Sequence, residues 1–140
     1  MKTLKPSWFI LFVALGALPA ASAMADPDCS EYIESAKWGV EKVNAYFSTY
    51  PSLQITLTGS GCTYTAADTD AIFEQIYAKY SQDPEWQSPK LSKEQTRNSA
   101  RLQLECQLSR SPVPNPITLE PRRETTSLDA YKAMNNCNAP

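Results

Sequence analysis

Histidine is absent from this 140-residue chain. That removes Ser-His-Asp and Cys-His nucleophilic mechanisms, histidine metal ligation and the usual proton shuttle near neutral pH. Other chemistries are missing as patterns. The four cysteines, Cys29, Cys62, Cys106 and Cys137, stand 33, 44 and 31 residues apart, so neither a CxxC redox pair nor a zinc ribbon is encoded. No Gly-x-Ser-x-Gly elbow occurs, nor a Ser-x-x-Lys with its companion motifs. The turn Thr58-Gly59-Ser60-Gly61-Cys62 is too short and wrongly composed for a phosphate loop. Asp68, Asp70 and Glu74 lack the glycine and ligand spacing of an EF-hand loop. An enzyme built from this chain would need carboxylates alone, or a serine or threonine activated by lysine. No catalytic residue, metal ligand or cofactor is assigned, and the pattern favours a binding protein over an enzyme.

What is present begins with an address label. Lys2 and Lys5 precede the 11-residue apolar run Trp8–Leu18, and Pro19 then leads into the small-residue tail Ala20-Ala21-Ser22-Ala23-Met24-Ala25. This is the pattern of a secretory signal peptide, and the run has signal-peptide rather than membrane-spanning length. Cleavage after Ala25 would leave a single exported domain of residues 26–140, periplasmic or extracellular. Four cysteines in a small exported chain predict two disulfides.

The mature chain would carry 15 acidic and 11 basic residues, unevenly placed. Residues 26–88 sum to −7 and residues 89–140 to +3. Either the halves pack and neutralise each other, or an acidic face is offered to a basic protein partner. Nucleic acid is not a fitting partner for such a balance with no basic-aromatic cluster.

Hydrophobic spacing predicts a small α+β domain in the order α-β-α-β-β-α. Ser30 would cap a helix over 30–50, with Ile33, Ala36, Val40, Val43, Phe47 and Tyr50 as its apolar stripe. Leu53, Ile55 and Leu57 alternate with polar residues as a strand does. Thr65 and Asp68 open a second helix carrying Ile72, Phe73, Ile76, Tyr77 and Tyr80, which Asp83-Pro84 closes. Ser92 and Gln95 form a capping box for a short helix. Leu102, Leu104, Cys106 and Leu108 alternate and suggest a strand over 101–108, although their neighbours are good helix formers. Residues 111–116 form a proline-rich extended loop, Ile117 and Leu119 a further strand, and Ser127 caps a last helix with Leu128, Tyr131 and Met134. Antiparallel returns of helix on strand would pair Cys29 with Cys62 and Cys106 with Cys137, the second pairing holding only if 101–108 is a strand.

Candidate contact residues follow from the predicted helix. There Trp38 has Glu34, Ser35, Glu41 and Lys42 around it, opposite the apolar stripe. Trp86 lies beside Pro84 and Glu85 in a polar segment. Trp38, Glu34, Glu41 and Trp86 thus read as a partner-binding set, an aromatic anchor ringed by acids; the other reading has segment 82–100 covering both tryptophans. Ser60-Gly61-Cys62-Thr63-Tyr64 resembles the Ser-Gly-x-x-Tyr stretch of periplasmic lysozyme inhibitors, but lacks the tryptophan and lysine-glycine that continue it, and no family is assigned on it. The function expected is that of a small exported binding protein, such as an inhibitor or immunity protein of an envelope-directed enzyme. The alternatives are a carboxylate-based hydrolase or a glycan-binding module.

Overall fold

The computed structural model describes residues 28–40, 50–59, 61–124, 127–133 and 137. The expected leader, Glu41, Lys42 and Met134 lie outside them. The described elements are β1 (Ile33–Val40), β2 (Pro51–Leu57), a 3-10 turn (Ala66–Asp68), α1 (Thr69–Tyr80), α2 (Lys93–Leu108), β3 (Ile117–Leu119) and α3 (Leu128–Lys132). They form a single α+β domain whose antiparallel sheet runs β1-β2-β3. Among the described residues, no helix is long and apolar enough to cross a membrane.

The central strand fixes the layout. Leu53, Ile55 and Leu57 all point to one buried face and meet Ile72, Phe73 and Ile76 of α1 and Ala100, Leu104 and Leu108 of α2. Ile117 and Leu119 of β3 complete this core.

Two stretches differ from their sequence-based expectation, in opposite senses. Ile33–Val40 is a strand where a helix was expected. Ala36 and Val40 satisfy the helical period, but Ala36, Trp38 and Val40 together satisfy a period of two, and Gly39 would cost a helix interior about 1 kcal/mol. β3 covers only three residues of β2, so the rest of β2 takes its ladder from β1. Ile33 pairs with Leu57 and Ser35 with Thr56, leaving Glu34 as the extra residue of a bulge. The bulge shifts the phase so that Ile33, Ala36 and Trp38 lie opposite the inward residues Leu57, Ile55 and Leu53.

Residues 101–108 are helical where a strand was expected. The Ser92–Gln95 capping box is present, but the helix it starts runs on for 16 residues. Its core stripe is Ala100, Leu104 and Leu108; Leu102 and Cys106 look away from that stripe into a second cluster with Leu128, Tyr131 and Cys137. Two opposed apolar faces on one helix mimic the alternation of a strand. Buried glutamines hide the helical period further. Gln103 donates through Nε2 to Glu120 O (2.8 Å) and accepts from Glu120 N (2.7 Å). Gln107 does the same with Thr118 (2.6 and 3.1 Å). Their amides thus act as a substitute strand on the free edge of β3.

Both disulfides pair as expected, Cys29–Cys62 and Cys106–Cys137, with Cα–Cα distances of 5.7 and 5.6 Å. They are compatible with an oxidising compartment. The antiparallel return that brings Cys62 back to Cys29 is a β1–β2 hairpin rather than a helix on a strand. Cys106 meets Cys137 because α3 packs on α2. Beside this bridge Ser99 Oγ donates to Arg123 O and shares a 2.8 Å hydrogen bond with Tyr131 Oη, while the buried Arg123 pairs with the buried Glu120.

Candidate functional site

Strand geometry changes the surroundings of Trp38. It shares the inward face with Ala36, is half-buried, and meets Trp86 edge to face at 6.5 Å between ring centroids. Its Nε1 donates to Asp83 Oδ2 at 2.7 Å. Trp86 is only 1% exposed and packs against Tyr77 (5.8 Å) and Phe73 (6.5 Å). In place of the helical neighbours expected around it, Trp38 meets Asp83 and Trp86 of segment 82–100, and Trp86 in turn packs on α1. Glu34 remains exposed at the bulge, and Glu41 lies outside the described residues. Among the described residues of the expected contact set, Trp86 is inside and Trp38 is a partly covered core residue.

Two ion pairs join the acidic and basic halves of the sequence. Arg97 pairs with Glu74 (2.5 Å) and Arg101 with Asp70 (2.8 Å), each joining the basic half to the acidic half across α1 and α2. Arg97 also lies over the rings of Tyr77 (5.0 Å) and Phe73 (5.7 Å). These exposed pairs contribute little stability each, roughly 0–1 kcal/mol. They do occupy the acids that could otherwise gather a cation. Asp68 caps Thr65, Asp70 and Glu74 hold arginines, and no cluster of metal-ligating side chains occurs among the described residues.

A different site lies toward the opposite end of β2. An open groove of about 760 Å³ runs between residues 57–59 and 62–66 on one side and residues 108–115 on the other. Leu57, Tyr64, Leu108, Val113 and Pro114 supply its apolar lining. The first wall is tied by the Cys29–Cys62 bridge, by Thr58 N donating to Tyr32 O (3.0 Å), and by Tyr64 Oη donating to Thr58 O (2.9 Å). A phenol is protonated at neutral pH, and burial pushes that of Tyr64 further above its ordinary pKa. The second wall is the proline-rich loop after α2, in which Ser111–Pro112 and Asn115–Pro116 are cis. Asn115 joins the walls: its Oδ1 accepts from Leu57 N (3.2 Å) and its Nδ2 donates to Leu57 O (3.5 Å).

Among the described lining residues Arg110 is the sole ionic side chain, and no carboxylate is present. The lining sets apolar side chains beside one guanidinium and several hydroxyls. Sequence reasoning did not assemble this groove, because its walls lie some 50 residues apart. The local signals were there separately: a glycine-marked turn at 59–61, a proline-rich loop at 112–116, and an arginine flanked by Ser109 and Ser111. No protein family, curated protein or solved structure matches this chain.

Proposed function

We propose that this chain is a small exported binding protein, held by two disulfides, that docks onto another protein through the groove lined by residues 57–59, 62–66 and 108–115. On this reading residues 1–25 are a cleaved leader, the mature chain begins at Asp26, and the partner is an envelope-directed enzyme that the chain inhibits or renders harmless. The single observation that carries the reading is the groove: its walls are fixed by a disulfide and by Asn115, and its lining pairs apolar surface with hydrogen-bond donors and no carboxylate. That lining speaks for recognition over a carboxylate hydrolase at the same place.

The test uses exported, oxidised protein as bait on envelope extract, beside a Thr63→Trp variant that fills the groove from an exposed position. Captured enzyme is then assayed for activity against increasing bait. Inhibition by the wild type and its loss in Thr63→Trp is the expected outcome. Equal inhibition by both proteins removes the groove from the reading, and a captured enzyme left fully active removes the inhibitory role. N-terminal sequencing of the same preparation should start at Asp26.

A further inference from the structure

We propose that the groove receives an extended segment of the partner protein bearing an aspartate or glutamate, whose carboxylate is held by Arg110. This inference rests on the protein-binding reading above and names the chemistry the groove selects. It starts from the five arginines of the chain. Arg97, Arg101 and Arg123 each pair with a carboxylate, and Arg122 donates to the carbonyls of Glu85 and Pro84 (3.0 and 2.7 Å). Among the described residues only Arg110 has no acceptor for its guanidinium, and it borders the groove in an exposed position.

The hydroxyls around it divide in a telling way. Thr58, Tyr64, Thr65 and Ser109 direct theirs to acceptors within the chain: Glu31 O, Thr58 O, Asp68 Oδ2 and Glu105 O. Thr63 and Ser111, both exposed in the lining, have no partner among the described residues. The unspent groups are thus all able to donate, and they border apolar walls. A ligand that complements them carries an anion and acceptors beside apolar side chains. A peptide segment with one acidic residue has that composition, its backbone carbonyls serving Thr63 and Ser111. A guanidinium suits a carboxylate particularly well, because two parallel N–H donors match its two oxygens. The volume is also far more than one small anion needs and lies within the ~300–1,000 Å³ of ordinary ligand sites.

The probe is a set of blocked heptapeptides with Glu, Gln or Lys fixed at the centre and Ala, Leu, Val or Pro varied around it. Binding to the exported, oxidised protein is read by fluorescence polarisation. The Glu set should bind tighter than the Gln set by roughly tenfold or more. Arg110→Gln should abolish that preference while leaving the Gln set unchanged, and Arg110→Lys should keep part of it. An unaltered melting temperature for Arg110→Gln supports a contact role, whereas a large fall would make Arg110 a prop for the nearby end of α2 and overturn the proposal. Equal binding of the Glu and Gln sets, both blocked by Thr63→Trp, would overturn the carboxylate inference and leave the docking groove standing. Competition by inorganic phosphate as effective as by the Glu peptides would reduce the site to a general anion site and likewise overturn it. No binding of any peptide, together with enzyme inhibition that survives Thr63→Trp, would remove both readings.

Discussion

At the Leu53 end of β2, two tryptophans meet edge to face, the Trp38 indole finds Asp83, and Arg97 lies over two rings. At the Leu57 end, Arg110, Thr63 and Ser111 border an open groove with no acceptor among the described residues. Both ends are polar and aromatic in composition. They differ in where the polar groups find their partners. The first end turns the Trp38 indole and Arg97 onto partners within the chain and gains a packed core, in which the buried Trp86 Nε1 alone goes without a hydrogen bond among the described residues. The second leaves Arg110, Thr63 and Ser111 toward solvent, with its shape kept by a disulfide and the Asn115–Leu57 pair.

The contrast can be broken most directly at the packed end. Trp86→Ala should cost ~3–5 kcal/mol, because a fully buried aromatic side chain leaves a cavity its neighbours only partly fill. Urea unfolding measures it, and a loss below about 1 kcal/mol would show that this end is not packed as described. Cys29→Ser should cost ~2–5 kcal/mol and free one thiol at Cys62, counted by a thiol reagent in denaturant. Because Cys62 lines the groove, the same change should weaken partner inhibition more than its stability loss alone would. Trp38→Ala comes next, at about 2–3 kcal/mol, since a half-buried ring and one hydrogen bond are lost. A near-wild-type melt for this variant would restore Trp38 as a surface anchor. Gln103→Leu keeps the side chain's bulk but leaves the N–H and C=O of Glu120 without their partner, at ~1–3 kcal/mol. The smallest stability effect belongs to the groove: Arg110→Gln should stay within about 0.5 kcal/mol of wild type.

Much of this fold was legible from residues that act locally. Thr65–Asp68 and Ser92–Gln95 announced their helix starts, the alternation of Leu53, Ile55 and Leu57 announced β2, and Ser127 announced α3. The two misread stretches share one cause. Residues 33–40 and 101–108 each carry a pattern that satisfies both periods, and the choice is made by distant partners. β2 needs a ladder along its whole length, and α2 must serve a core on one side and α3 on the other. Trp38 was misplaced for the same reason: its neighbours depend on the period. The Cys29–Cys62 pairing survived because it needed only that two consecutive elements return on each other, whichever kind they were. Cys106–Cys137 pairs as expected although 101–108 is not the strand on which that pairing was argued: α3 packs directly on the helix α2. The groove was not legible, since no local pattern joins Tyr64 to Val113.

The two glutamines on the edge of β3 also set a scale. Residues four apart on a helix advance about 6 Å, and residues two apart on a strand about 6.6 Å, so Gln103 and Gln107 can read Glu120 and Thr118 together in one alignment. Sliding α2 along β3 by one residue would break four hydrogen bonds at once. α2 is thereby indexed to the sheet like a toothed rack. Whatever hangs from that rack inherits its setting: Cys106 opposite Cys137 on one flank, and Arg110 at the mouth of the groove just beyond the last tooth.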